Sequence, residues 1–174
     1  ELQIREINTG AFAVDARRCF ELLRGLGRDN AQGEYYLTDV VGGARSAGEH
    51  VLAYLHGDSD ELMGINDRRE LATAEALLRE RINDGWMGLG VTFIDPRCTY
   101  ISPDAKLGRD AHLEPGVLID GGSEVGAGCR ISAGARLINA ALGVGVSVGA
   151  NAIVEGRVPP GEVIPPGVHY RGDD

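Results

Sequence analysis

The side chains with the widest chemical range in this sequence are its histidines and cysteines. The histidines are His50, His56, His112 and His169, and the cysteines are Cys19, Cys98 and Cys129. No two cysteines form a C-x-x-C pair, so neither a zinc site nor a disulfide framework is indicated, and a reducing environment is expected. Only His112 and His169 fall in the second half, and His112 is predicted to point outward, which argues against a three-histidine zinc site.

Three turns in the first half carry polar side chains at positions where a ligand could bind. They contain Asn8-Thr9-Gly10, Tyr35-Tyr36-Leu37-Thr38-Asp39 and Asn66-Asp67. Taken alone, the first is simply a turn after a strand, because asparagine and glycine tolerate turn conformations. Tyr35 and Tyr36 fit a sugar contact and an ordinary core position equally well, and Asn66-Asp67 fits a helix cap.

Length and charge exclude several classes of protein. The chain has 174 residues, with 17 basic and 26 acidic side chains and a formal net charge of -9. This length allows one large domain or two small ones, and neither half is basic, which disfavours non-specific nucleic-acid binding. No window approaches the roughly 18 apolar residues of a membrane helix, and the first residues do not resemble a secretory signal. Because the sequence starts without methionine, we expect a fragment of a longer cytoplasmic protein.

The distribution of proline divides the sequence, since all seven prolines lie at or after Pro96. In the first part, hydrophobic spacing predicts helices over 16–26, 36–48 and 68–83 and a strand over 51–55. Asp15 is expected to cap the first helix. The inner face of the last helix is predicted to contain Leu71, Ala74, Leu78 and Ile82. Alternation of helix and strand is typical of the tail of an α/β domain.

A period of six residues governs the second part. The aliphatic positions are Ile101, Leu107, Leu113, Ile119, Val125, Ile131, Leu137, Leu142, Val148 and Val154. A small or compact residue lies two positions before each of them, and Cys129 is expected to be such a core filler. The pattern predicts a triangular parallel β-helix with one hexapeptide on each side, making three coils and a little more.

Two further features of this β-helix are expected. Glycines at 108, 126, 143 and 149 should ease turns that need a positive φ. The Pro-rich residues 157–167 should cap the last coil, because proline cannot donate to a further strand. Prisms of this kind resemble the left-handed β-helix class, whose members are usually trimers.

Four motifs occur in a fixed order ahead of the hexapeptides. They are Glu6-Ile7-Asn8-Thr9-Gly10, residues 29–39, Met63-Gly64-Ile65-Asn66-Asp67-Arg68 and Gly90-Val91-Thr92-Phe93-Ile94-Asp95-Pro96. With the hexapeptides, they closely resemble the bacterial bifunctional N-acetylglucosamine-1-phosphate uridyltransferase / glucosamine-1-phosphate acetyltransferase family, over residues 1 to about 140. The resemblance implies the C-terminal part of a Rossmann-like uridyltransferase domain over 1–66, a connecting helix over 67–90 and a left-handed β-helix over 91–174.

The resemblance also implies an activity and a set of binding residues. The family transfers UMP from UTP to N-acetylglucosamine 1-phosphate, which gives UDP-N-acetylglucosamine for peptidoglycan and cell-wall synthesis. By resemblance, Asn8 would contact the UDP-sugar, Tyr36 and Thr38 would lie near N-acetylglucosamine, and Asn66 would ligate Mg²⁺ with an aspartate outside this chain. An asparagine carbonyl oxygen suits Mg²⁺, and the reaction needs charge neutralisation and positioning more than acid–base catalysis.

Two alternatives remain open. In the family, acetyl transfer from acetyl-CoA takes place between subunits on later coils, whose opening Arg-Pro-Gly stretch is not matched by residues 150–156. An acetyl-CoA-dependent acetyltransferase is therefore one alternative. The other is a catalytically silent trimerisation module, because the β-helix is predicted to be complete while the nucleotide site is not.

Overall fold

The computed structural model describes residues 6, 8–28 and 31–172. Contacts divide the chain after Gly64 into a first unit, Glu1–Gly64, and a second unit, Ile65–Asp174. Within the described ranges, no helix has both the length and the apolar composition of a membrane-spanning segment.

The regular secondary structure described in the first unit is helical and lies between irregular segments. It contains helices α1 (Ala16–Leu23) and α2 (Asp39–Ser46) and a 3-10 turn at Asp60–Leu62. The predicted cap of α1 is confirmed, because the Asp15 carboxylate accepts a hydrogen bond from the Arg18 amide at 3.0 Å. Helix α2 begins at Asp39 rather than near Tyr36, and the residues between them form the turn that leads into it.

The strand predicted over residues 51–55 is wrong. These residues form no strand, and Leu52, Tyr54 and Leu55 are 90%, 89% and 73% exposed. A strand is completed by hydrogen bonds to a neighbouring strand, and the described part of the first unit contains no strand to pair with. The alternating apolar residues at 51–55 therefore favour a strand locally, but no described residue of the first unit supplies a strand to pair with.

Helix α3 (Arg68–Gly88) opens the second unit with a reciprocal cap. The Asp67 carboxylate accepts a hydrogen bond from the Glu70 amide at 2.9 Å, and the Glu70 carboxylate accepts one from the Asp67 amide at 3.2 Å. These bonds satisfy amides that have no partner inside the helix. The capping role predicted for Asn66-Asp67 is therefore confirmed for Asp67.

The inner face of α3 differs from the predicted one. Leu71 and Leu78 are 43% and 53% exposed, while Ile82 and Trp86 pack against the core of the β-helix. Asn83 is fully buried between them. A buried polar residue interrupts the apolar spacing from which the face was predicted, and α3 continues to Gly88 instead of ending at Asn83.

Twelve short strands make up the rest of the described second unit. They are β1 (Thr92–Phe93), β2 (Tyr100–Ile101), β3 (Lys106–Leu107), β4 (His112–Leu113), β5 (Leu118–Asp120), β6 (Glu124–Val125), β7 (Arg130–Ile131), β8 (Arg136–Leu142), β9 (Ser147–Val148), β10 (Ile153–Val158), β11 (Val163–Ile164) and β12 (His169–Arg171). A 3-10 turn at Pro96–Cys98 separates β1 from β2.

All strand pairs are parallel, and they form the three faces of a prism. Face 1 contains β1, β4, β7, β9 and β11 in this order. Face 2 contains β2, β5, the first part of β8, the first part of β10 and β12. Face 3 contains β3, β6, the second part of β8 and the second part of β10. The predicted parallel β-helix of hexapeptide repeats is thus confirmed.

The predicted interior of the prism is confirmed almost residue by residue. Of the ten aliphatic positions, only Leu107 is not buried, and all ten compact residues two positions earlier are buried. Cys129 is one of these fillers, and its Sγ contacts the Gly143 carbonyl oxygen at 3.1 Å. Burial raises the pKa of the Cys129 thiol, so it remains protonated in the core.

The coils continue beyond the predicted end near Val154. Val158 and Ile164 are buried, and β11 and β12 pair with β9 and β10. The Pro-rich segment is therefore built into a further coil rather than only covering the last one. Its period was hidden by the corner between faces 2 and 3, which keeps its length over the first two coils and then shortens. The inward residues on either side of that corner are Ile119 and Val125, then Leu137 and Leu142, then Val154 and Val158.

The glycines at 108, 126, 143 and 149 have a different role from the predicted one. None of them adopts a positive φ, which falls instead on other glycines and on Asp110, Asn139 and Asn151. A Cβ on Gly126 would lie 2.6 Å from the carbonyl carbon of Gly143 in the next coil. Glycine is required there because adjacent coils approach backbone to backbone.

Candidate functional site

Asn8 lies in a turn that its own side chain closes. The Asn8 Oδ1 atom accepts a hydrogen bond from the Gly10 amide at 3.0 Å, and Gly10 has a φ of 75°. The Thr9 hydroxyl accepts a second one from the Ala11 amide at 3.3 Å. Asn8 is exposed. Its side-chain Nδ2 group takes no part in the hydrogen bond that closes the turn. The turn and a ligand contact therefore remain compatible.

Tyr36 and Thr38 lie together at the start of α2. The half-buried Tyr36 donates its hydroxyl hydrogen to Gln32 Oε1 at 2.6 Å, and its carbonyl oxygen accepts the Asp39 amide at 3.1 Å. Thr38 is the exposed N-cap of α2, and its hydroxyl makes no capping bond. The Thr38 hydroxyl is thus available to a ligand, whereas the Tyr36 hydroxyl would have to exchange its present partner.

Asn66 lies in the second unit, immediately before α3. Its amide donates to Glu70 Oε2 at 2.6 Å, and the same backbone hydrogen bond is the main reason that the pKa of Glu70 is lowered. The Asp67 carboxylate binds the Arg69 and Glu70 amides and the Arg69 guanidinium. The nearby carboxylates are therefore already engaged in the helix cap.

The described residues do not build a metal site around Asn66. No group of three histidine, cysteine, aspartate or glutamate side chains in the described ranges could hold a metal ion. Mg²⁺ prefers six oxygen ligands, several of them water, with one or two carboxylates. One exposed amide oxygen fits such a site only if a carboxylate other than those of the helix cap completes it.

The four predicted binding residues thus fall in two units. Asn8, Tyr36 and Thr38 belong to the first unit, and Asn66 belongs to the second. None of the four is buried. Their local geometry is that of turns and caps, and their predicted roles in ligand binding stay predictions.

The thiol of Cys98 is the most accessible of the sulfur nucleophiles described for the β-helix. Its hydrogen bond to the Asp95 carboxylate raises the pKa of Cys98 and lowers the pKa of Asp95. Asp95 also accepts the Arg97 amide at 3.0 Å. Because a raised pKa leaves little thiolate at neutral pH, the geometry indicates a structural turn rather than a nucleophile.

The two histidines of the β-helix lie outside its core. His112 begins β4 on face 1, beside Thr92 and Arg130 in the ladder, as predicted for an outward residue. His169 lies in β12, where its Nε2 atom is 3.2 Å from Glu155 Oε1. The two histidines are therefore on different faces and form no common site.

A depression at the N-terminal end of the β-helix was not predicted. It has a volume of about 460 Å³ and is lined by Met87, Gly88, Leu89, Gly90, Leu107 and Arg109. Its walls come from the end of α3 and from the region of β3, and the first strands of faces 1 and 2 separate these two segments along the chain. No pattern in either segment indicates the site, because the depression exists only once the first coil is closed.

Comparison with known proteins identifies a related family. The chain is 56% identical over 118 positions to the bifunctional protein GlmU of Syntrophotalea carbinolica. It is 53% identical over 121 positions to the GlmU of Streptococcus suis and 48% identical over 121 positions to the GlmU of Halalkalibacterium halodurans. These matches include 68% to 70% of this chain. Over these positions the chain is related in sequence to the GlmU family, as predicted.

The chain spans about a quarter of the length of these GlmU relatives, from 25% to 27%. No protein-family model matches it. A solved structure of a perosamine N-acetyltransferase mutant from Caulobacter crescentus, in complex with CoA and GDP-perosamine, is 24% identical, with a TM-score of 0.23 over 56% of this chain and 60% of that one. The relationship to GlmU therefore rests on the sequence matches.

Proposed function

We propose that this chain is the assembly module of a GlmU-type transferase and that its β-helix associates into a homotrimer. The observation that carries the proposal is the contrast between the core of the β-helix and the predicted ligand-binding residues. The β-helix has a continuous buried core from Val91 to Ile164, whereas the predicted ligand-binding residues are unburied and divided between two units. A continuous buried core beside dispersed, unburied binding residues supports assembly better than independent catalysis.

Face 2 is the surface we assign to the contact between subunits. Its outward side chains include Tyr100, Leu118 and Ile153, which share one column of the ladder with Arg136. The neighbouring column contains Asp120, Ile138 and Glu155. A flat surface that mixes aliphatic, aromatic and oppositely charged side chains is suited to a protein interface.

The trimer predicts a specific response to one substitution. Ile153→Glu would place a carboxylate in the contact and is expected to convert a trimer of 18.4 kDa subunits into monomers, because an unpaired charge is costly at an interface. Native mass spectrometry or light scattering at micromolar concentration measures the change. Ser147→Glu, on face 1, is the matched control and is expected to remain trimeric. A monomeric unsubstituted chain would contradict the proposal.

A second candidate activity is acetyl transfer from acetyl-CoA to glucosamine 1-phosphate in the assembled protein. The observation that favours it is the continuation of the coils to β12, which lengthens the surface along which CoA could lie between subunits. CoA binding to the chain, measured by calorimetry, is the test. Affinity that is lost in the Ile153→Glu monomer supports acetyl transfer, and no heat of binding at millimolar CoA excludes it.

Uridyl transfer is the activity proposed for a longer protein that includes this chain. It would use Asn8, Tyr36 and Thr38 for the sugar nucleotide and Asn66 for Mg²⁺, with UTP and N-acetylglucosamine 1-phosphate as substrates. Pyrophosphate release by the longer protein is expected to require Mg²⁺ and to fall by about 10- to 100-fold in Asn66→Ala. Arg68→Ala changes a neighbouring exposed residue and should leave the rate unchanged. Equal rates in both variants would remove Asn66 from the metal site.

A further inference from the structure

The N-terminal end of the β-helix is covered by α3 on only part of its outline. Ile82 and Trp86 pack on the core, and Asn83 binds the Thr99 carbonyl just before β2. Face 3 begins with β3, which pairs with β6 alone. Among the described residues, nothing is hydrogen-bonded to the other edge of β3.

The free edge presents backbone groups in the geometry of a parallel ladder. The Lys106 and Gly108 amides donate to Ser123 and Val125 in the next coil, at 2.9 and 2.7 Å. Alternate residues of a strand direct their N–H and C=O groups to opposite neighbours. Leu107 therefore directs its N–H and C=O groups to the uncovered side, where a further strand would bind them.

Part of the surroundings of this edge is apolar. The side chain of Leu107 lines the depression of about 460 Å³, together with Met87 and Leu89. Met87 and Leu89 are 37% and 61% exposed, and Leu107 is the one inward aliphatic residue that its own coil leaves partly uncovered. A side chain of about the size of valine or leucine that covered Leu107 would complete the end of the core.

One unpaired cation lies at the rim. Arg109 is exposed, and its guanidinium has no hydrogen bond or salt bridge to any described residue. Its Nε atom is 3.6 Å from the position that a Cβ on Gly90 would occupy, so it lies at the wall of the depression. Lys106, the other nearby cation, is already paired with Glu124 at 2.7 Å.

We propose that this end of the β-helix binds an extended, acidic segment of a partner protein, which adds to β3 as a parallel strand. Its backbone would bind the N–H and C=O groups of Leu107, an apolar side chain would cover Leu107, and a carboxylate would pair with Arg109. Strand addition of this kind takes affinity from the backbone and specificity from side-chain pockets. A helical ligand would leave the N–H and C=O groups of Leu107 without hydrogen bonds. A polyphosphate ligand would require more cations than Arg109 alone.

The test uses the whole chain and the peptide acetyl-Val-Asp-Val-Asp-Val-amide. Trp86 is the only tryptophan and adjoins Met87, so its fluorescence should report binding. Amide hydrogen exchange should slow at Leu107 by tenfold or more when the peptide is present, with little change at Leu113 in the core. Arg109→Ala should weaken binding about fivefold, the size of an exposed charge pair.

Three controls separate strand addition from other events. Arg130→Ala changes an exposed arginine on face 1 and should not alter the affinity. A peptide N-methylated at the second aspartate should lose most of its affinity, because that amide would donate to the Leu107 carbonyl oxygen when the central valine covers the Leu107 side chain. A peptide with lysine in place of both aspartates should bind more weakly. Millimolar peptide without protection of the Leu107 amide would overturn the proposal. Protection at Leu107 that appears with protein concentration alone would also overturn it, because a second copy would then occupy the edge.

Discussion

Replacing Gly126 by alanine is expected to lower the free energy of unfolding of the β-helix by about 3 kcal/mol or more. A Cβ at this position would lie 2.6 Å from the carbonyl carbon and oxygen of Gly143 and 2.7 Å from the amide nitrogen of Val144. All three are backbone atoms of the next coil, so they cannot move aside as a flexible side chain would. The φ angle of Gly126 is not positive, and the loss would therefore come from the contact alone.

Gly122→Ala is a matched control in the same coil. A Cβ on Gly122 meets nothing within 4 Å, and its φ is also not positive. Alanine there should leave stability unchanged or raise it by about 0.4 to 1 kcal/mol, because it restricts the unfolded chain. Urea denaturation followed by circular dichroism measures both variants. Similar values for the two would show that coils can separate at Gly126 at little cost.

The same contact recurs down one corner of the prism. A Cβ on Gly143 would lie 2.5 Å from the amide nitrogen of Pro160, and one on Gly108 would lie 2.5 Å from the Ala127 amide nitrogen. Spacing between coils is fixed by backbone hydrogen bonds, which leaves no room for side chains where the chain turns. The sequence predicted the glycine positions but not this reason, because coil-to-coil distance is not a property of one hexapeptide.

The interior of the β-helix was predictable because it depends on residue type at short spacing. An aliphatic residue and a compact one, two positions apart, suffice to define each side of the prism, as Val117 and Ile119 do. The end of the β-helix was not predictable in this way, since a corner that loses residues changes the period. Val158 and Ile164 are buried although neither continues the period of six from Val154.

Local caps were also predictable, and non-local pairing was not. Asp15 and Asp67 bind amides two or three residues away, so the sequence contains the whole interaction. A strand at 51–55 needs an edge supplied by another segment, and alternation alone says nothing about that edge. The candidate site shows the same division, because the turn at Asn8 is local, whereas a sugar or metal site requires groups from several segments.

Replacing Asn83 by alanine is expected to cost about 2 to 4 kcal/mol of stability. Asn83 is fully buried, and its Nδ2 group donates to the Pro96 carbonyl at 2.8 Å and the Thr99 carbonyl at 3.0 Å. These carbonyls flank the 3-10 turn between β1 and β2, so one amide joins α3 to the first coil. Alanine would leave both oxygens without a donor in a buried place.

The Asn83→Asp variant separates the effect of losing the hydrogen-bond donor from the effect of losing side-chain volume, since aspartate has nearly the same size as asparagine. The introduced carboxylate would face two carbonyl oxygens, which raises its folded pKa above the unfolded value. The stability of this variant is therefore expected to be largest below the unfolded pKa and to fall as pH rises through the folded pKa.

The neighbouring exposed Asp84→Ala is the control for both Asn83 variants, with urea midpoints compared at several pH values. If Asn83→Ala were as stable as Asp84→Ala, the amide would not hold the helix to the coil. The N-terminal end of the β-helix would then depend on the packing of Ile82 and Trp86 alone.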